Sequence, residues 1–172
     1  MTYIGFILGI LMCLFIFINK HEIAIIFLFL NRFSDGLDGV MARLESPTAL
    51  GGYLDIISDF IIYGGFVLCF GLSNQENLTV SLILLFCYLG TSTTFLTKAA
   101  IQPAIRSVNT DEKQIPKSFH YASGIVEGTE TIIYMLLCLI FPKMFSLISI
   151  FFILLCILTI VFRIIVCYKE LS

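Results

Sequence analysis

MFSLISIFFILLCILTIVFRIIVCY, from Met144 to Tyr168, holds a single charged residue, Arg163. A helix needs about 20 apolar residues to cross roughly 30 Å of hydrocarbon, and this run is long enough. Upstream of it, five more segments meet the same requirement: Thr2 to Asn19, Glu22 to Leu44, Gly52 to Leu72, Leu78 to Ile101 and Tyr121 to Phe141. Turn chemistry separates them at Asn19-Lys20-His21, Glu45-Ser46-Pro47-Thr48, Ser73-Asn74-Gln75-Glu76-Asn77 and Pro142-Lys143. The polar stretch Gln102 to Lys117, with Pro103 and Pro116, reads as a surface loop. Composition agrees. Of 172 residues, 59% are apolar and 13% charged, too few polar groups to cover a surface facing water. The expected fold is an all-α membrane protein: a bundle of six transmembrane helices, forming one domain over residues 1–172.

The formal net charge of −2 gives no basic character that would argue for nucleic acid. The six cysteines all lie in apolar runs, without Cys-x-x-Cys pairs or histidines at metal-ligand spacing, and read as small apolar helix residues. The first segment lacks a basic leader and a small-x-small cleavage site, so it reads as a retained helix. With the amino terminus inside, the inner loops and helix ends carry Arg43, Lys98, Arg106, Lys113, Lys117, Arg163 and Lys169, against Lys20 and Lys143 outside. This bias places both termini in the cytoplasm, and with them the junction between the second and third helices.

That junction is where the acids are. Four of the five aspartates fall between residues 35 and 59. Asp35 and Asp38, three apart, lie about 60° apart around the second helix, and Asp55 and Asp59, four apart, about 40° apart on the third. A short return through Pro47 lets the pairs face one another. Each carboxylate costs roughly 2.5–3.5 kcal/mol at the bilayer centre. Arg32 and Arg43 could offset two charges at most, whereas two divalent cations would offset all four, and oxygen-only ligands point to Mg²⁺ or Mn²⁺. Gly36, Gly39, Ala42 and Gly51 either allow close helix packing or leave room for a base or diphosphate against the backbone. Beside four aspartates, the second reading is preferred.

The pattern Asp35-x-x-Asp38-Gly39-x-x-Ala42-Arg43, followed by Gly51-x-x-x-Asp55-x-x-x-Asp59, resembles the signature of the CDP-alcohol phosphotransferases (phosphatidyltransferases). Eight fixed positions within 25 residues match. Seven residues separate Arg43 from Gly51, one fewer than in many members, a shortening confined to the Pro47 turn. The stretches Gly90-Thr91-Ser92-Thr93-Thr94-Phe95, Lys117-Ser118-Phe119 and Glu127-Gly128-Thr129-Glu130-Thr131 look like a bacterial inner-membrane branch. The resemblance implies a six-helix fold with its active site at the cytoplasmic side of the inner membrane. It also implies a homodimer, for which Gly64 and Gly65 offer close-packing points. An interfacial amphipathic helix usually precedes the first span in the family; here it is expected either to lie upstream or to be dispensed with.

The implied chemistry is transfer of a phosphatidyl group from a CDP-linked lipid such as CDP-diacylglycerol to an alcohol, with release of CMP, in phospholipid biosynthesis. By the same resemblance Asp35, Asp38 and Asp55 are metal ligands, and Asp59 is the general base that also touches metal. Gly39 and Ala42, with Gly51, line the nucleotide site, and Arg43 steadies it. Acceptors range from glycerol 3-phosphate to serine and inositol phosphate; the basic residues Lys98, Arg106, Lys117 and Arg163 favour a glycerol-type phosphate, or else anchor the helices at the headgroups. Glu127 and Glu130 read either as acceptor or gating groups or as structural partners of Arg43, Arg163 or Lys98. Thr91, Thr93, Thr94 and Thr97 are expected to bond back to their own helix, and His120 and His21 to stay outside the chemistry. Two readings from other classes are a divalent-metal transporter component and a catalytically inactive membrane partner.

Overall fold

The computed structural model describes residues 2–45, 49–108 and 124–171, with Thr2, Asp38, 40–45, 49, 102–108 and 170–171 described by their backbone alone. Six α-helices account for nearly all of these residues, and no strand occurs among them. They are α1 (Thr2–Phe17), α2 (His21–Glu45), α3 (Ala49–Ser73), α4 (Gln75–Val108), α5 (Gly128–Ile140) and α6 (Phe145–Leu171), with a 3₁₀ turn at Pro142–Met144 before the last. Segments Leu50–Ser73, Gln75–Ile101 and Pro142–Lys169 are long and apolar enough to cross a membrane. The shorter α1 and α5 are also apolar, while α2 carries the polar half of the signature. Outward-facing side chains such as Phe33, Phe86 and Phe151 are large, apolar and exposed, the surface of a protein solvated by lipid.

Local chemistry sets most boundaries. Asn19, at φ 59°, closes α1 because asparagine tolerates the left-handed conformation that this helix end requires. The Lys20 N–H then reaches the Phe15 carbonyl at 2.8 Å and the Asn19 N–H that of Ile16 at 2.9 Å. Asn74 opens α4, its side-chain oxygen accepting the Glu76 N–H at 3.0 Å. At two boundaries the sequence expectation fails. The backbone stays helical beyond Pro103 to Val108 although proline loses its N–H and crowds the carbonyl one turn earlier; good helix formers such as Ala100, Ala104 and Arg106 surround it. The fifth helix begins at Gly128 rather than Tyr121. Glu130 accepts the backbone N–H of Glu127 at 3.0 Å and so starts the helix there. Glu130 is thus a capping residue of this helix.

Helix α2 packs chiefly on α1, α3 lies between α1 and α4, α4 lies between α3 and α6, and α5 rests on α2 and α6. The end of the bundle remote from the aspartates is filled by aromatic rings. Phe70 stacks on Phe145 at 4.4 Å and Tyr134 on Phe152 at 4.3 Å, while Phe66 touches both Phe70 and Tyr134. His21 stacks on Phe70 at this same end, far along α2 from the signature, as expected of a residue outside the chemistry. Small residues bring α1 against α3. A Cβ on Gly65 would lie 3.2 Å from Cys13 Sγ, and one on Gly64 would lie 3.8 Å from Leu85. Gly65 therefore serves close packing of α3 on α1.

Candidate active site

The half of the bundle opposite the aromatic stack is open and polar. Arg32, at the middle of α2, reaches along its own helix to Asp35 and across to α3. Its Nη2 lies 2.8 Å from Asp35 Oδ2 and 3.1 Å from Asp59 Oδ1. One nitrogen therefore bridges an aspartate from each half of the signature, and the facing arrangement expected from the spacing holds for this pair. Both carboxylates remain partly open to solvent, with side-chain exposures of 27% and 32%.

The guanidinium is itself held. Its Nε and Nη2 donate to Asn31 Oδ1 at 2.8 and 2.6 Å. The amide nitrogen of Asn31, a residue only 1% exposed, donates to the Gly5 carbonyl of α1 at 2.8 Å. The Arg32 Cζ also lies 6.0 Å above the Tyr63 ring, within cation–π range. Gly5 is close to the acids as well: a Cβ there would meet Asp35 Oδ1 at 3.0 Å.

Asp55 lies one turn before Asp59 and is exposed. Asp38, Ala42 and Arg43 occupy the same half of α2 as Asp35, with their side chains outside the described residues. Gly51 is in the first turn of α3. A Cβ on Gly36 or on Gly39 would find nothing within 4 Å among the described residues. Among the described residues no neighbouring helix packs on these glycines, so close helix packing does not account for them there. Among the described residues no three acidic, histidine or cysteine side chains converge on one point. The donor chemistry nonetheless fits a hard divalent cation, because carboxylate oxygens from two helices meet around one positive group and are reachable from water.

Asp59 also lines a cavity of about 650 Å³ between α3, α4, α5 and α6, with Tyr63, Tyr88, Thr91, Glu127 and Arg163 among its walls. Arg163 is 7% exposed. Its Nη1 donates to the Thr91 carbonyl at 3.0 Å and its Cζ sits 5.7 Å over Phe95, and no described carboxylate comes within ion-pair distance. The hydroxyls of Tyr63 and Tyr88 are buried and lack hydrogen-bond partners among the described residues. A buried cation without a contacting carboxylate and two unsatisfied phenols are costly unless something polar enters the cavity.

The expected back-bonding holds for Thr91, Thr93 and Thr94, whose hydroxyls donate to the carbonyls of Tyr88, Leu89 and Thr91. His120, Lys113 and Lys117 lie outside the described residues, as does the side chain of Arg106. Sequence reasoning overlooked Asn31, Tyr63 and Tyr88. The signals were present: Asn31 interrupts an apolar run whose amide must find a partner in the membrane, and Tyr63 stands one helical turn after Asp59.

The profile of a family described as CDP-alcohol phosphatidyltransferase matches residues 1–165. The inner membrane protein YnjF of Escherichia coli (strain K12) is 37% identical over 150 residues, covering 85% of this chain and 70% of that protein. No solved structure gives a significant match.

Proposed function

The chain belongs to the CDP-alcohol phosphatidyltransferase family, and on that premise we propose that it moves a phosphatidyl group from CDP-diacylglycerol, or a similar CDP-linked lipid, to an alcohol in phospholipid biosynthesis. The family reaction, transfer of a phosphate-linked group from a CDP-alcohol, defines it as a transferase. The observation that supports the finer reading is the position of Asp59. Its carboxylate meets Asp35 through Arg32 on one side and lines the cavity on the other.

In this reading the acceptor hydroxyl sits in the cavity and gives its proton to Asp59. The acceptor oxygen forms a bond to the lipid-side phosphorus as the bond from that phosphorus to the CMP oxygen breaks, and CMP leaves. Asp35, Asp38 and Asp55, with Asp59, would hold one or two Mg²⁺ or Mn²⁺ ions. Bound there, such ions neutralise charge developing on the diphosphate. Gly39 and Gly36 give the nucleotide access to the backbone, with Ala42, Arg43 and Gly51 alongside. Arg163 and the phenols of Tyr63 and Tyr88 suit an acceptor that carries an anion and hydroxyls, of which glycerol 3-phosphate is an example. The protein works in the bacterial inner membrane, with both termini and the site on the cytoplasmic side, and as a homodimer.

The test is CMP release by purified protein given CDP-diacylglycerol, Mg²⁺ or Mn²⁺ and a panel of acceptors. Turnover that Asp59→Asn lowers by about a hundredfold or more is expected for loss of a general base. Absence of CMP release with every acceptor, or full turnover by Asp59→Asn, would overturn the reading. Metal flux into proteoliposomes without CMP release would assign the aspartates to transport instead.

A further inference from the structure

We propose that Arg32 is a positioning residue for Asp59, seated by Asn31 on the backbone of α1, and that this relay joins the two halves of the aspartate signature.

Helix α2 packs mainly on α1, and α3 on α1 and α4, rather than on one another. Apolar packing therefore does little to fix the distance between the acids of α2 and those of α3. The Arg32 bridge acts directly across that gap: Nη2 donates to Asp59 Oδ1 at 3.1 Å and forms an ion pair with Asp35 Oδ2 at 2.8 Å. A flexible arginine could do this in many rotamers, but here the head group is fixed. Asn31 accepts from both Nε and Nη2, at 2.8 and 2.6 Å, and spends its own N–H on the Gly5 carbonyl. Asn31 is buried among apolar neighbours, so that amide has a strong reason to keep its partners. The relay takes one oxygen from each aspartate. Asp59 keeps Oδ2 for the substrate or metal side, and its direction is set by a chain that ends on the main chain of a third helix. No function was attached to α1 by the sequence motif; the relay makes it part of the site.

This inference rests on the proposed catalytic reading for its kinetic arm only. The first measurement is a thermal-unfolding cycle in detergent with Arg32→Gln, Asp59→Asn and the double variant. Loss of Arg32 should lower the unfolding temperature markedly when Asp59 is present and much less in the Asp59→Asn background, because the Asp59 carboxylate is stranded only in the first case. Equal shifts in both backgrounds would overturn the coupling, whatever the enzyme does. The second measurement uses turnover. Arg32→Gln should lower kcat about tenfold or more while KM for CDP-diacylglycerol changes by less than about threefold, and Arg32→Lys, which keeps the charge without the fork, should recover only part of it. Turnover by Arg32→Gln within about twofold of the wild type would overturn the positioning role. If Arg32→Gln fails to fold, Arg32→Lys carries the same comparison, and a full wild-type kcat there would sink the requirement for the fork.

Discussion

Replacing Gly5 by alanine should separate the stability of this protein from its activity. In a helix interior, alanine is favoured over glycine by about 0.5–1 kcal/mol. Against that gain stands the new methyl group, 3.0 Å from Asp35 Oδ1 and 3.4 Å from Ser34 Oγ. Ordinary van der Waals separation is about 3.5–4.0 Å, so the carboxylate must retreat by roughly half an ångström. Asp35 is partly exposed and can yield, which keeps the overpacking cost near the low end of about 1–3 kcal/mol. The two effects nearly cancel, and the unfolding temperature should scarcely change.

Activity should not be spared. Asp35 Oδ2 is tied to Arg32 and through it to Asp59, so displacing one carboxylate disturbs both. A misplacement of about 1 Å can cost about a hundredfold in rate, and half of that implies roughly tenfold in kcat. Gly9→Ala is the control, one turn further along α1. Its methyl group would lie 2.6 Å from Cγ1 of the fully buried Ile62, which has nowhere to go. The full overpacking range applies, and a net loss of about 1–2 kcal/mol should lower the unfolding temperature by about 2–8 °C. Folded Gly9→Ala protein should keep a near-normal kcat. The measurements are unfolding in one detergent and CMP release per folded molecule. A Gly5→Ala protein with normal kcat, or one that loses activity only in step with its folded fraction, would refute the reasoning.

Arg163→Gln should raise KM for an anionic acceptor by about tenfold or more while leaving KM for the CDP-linked lipid near normal, because a charged hydrogen bond is worth roughly 1.5–3 kcal/mol; steady-state kinetics with charged and uncharged acceptors check this. Chelation with EDTA should stop CMP release and added Mg²⁺ or Mn²⁺ restore it, with Asp35→Asn demanding more metal for the same rate. Tyr134→Phe removes a buried 2.8 Å hydrogen bond to Ser149 and should cost about 0.6 kcal/mol, and at most about 1.7, the average and upper values for such bonds between membrane helices. In an unfolding cycle, Ser149→Ala should add little to that loss.

Much of the architecture was legible because a lipid environment narrows what a sequence can mean. Runs such as Met144 to Tyr168 leave helix as the option that satisfies every backbone group in hydrocarbon, and Asn19 marks an end because its side chain tolerates positive φ. The approach of Asp35 to Asp59 was legible for a related reason. Spacings of three and four fix directions around a helix, and a short return turn supplies the antiparallel neighbour. The start of α5 was hidden because apolar character continues upstream of it, while the helix is decided by how Glu130 meets the Glu127 N–H. The extension of α4 through Pro103 was hidden because a proline counts against helix locally, although the residues around it favour one.

The tertiary content of the site lay in residues that the motif does not contain. Read alone, Asn31 and Arg32 are two polar residues embedded in an apolar helix, a cost of several kcal/mol if unpaired. Their partners are 26 and 27 positions away, at Gly5 and Asp59, and nothing in a linear pattern says which backbone carbonyl or which carboxylate will be near. Once three helices meet, each burden answers another. The amide needs an acceptor and fixes the guanidinium, the guanidinium needs carboxylates and gathers them, and Gly5 lacks the side chain that would keep Asp35 away. Arg163 shows the contrast on the other side of Asp59. It too is a buried cation, but the described protein gives it a single backbone acceptor and an aromatic face. A relay that is complete within the chain sets the geometry of the acids, and a cation left with unused donors points toward what enters the cavity from outside.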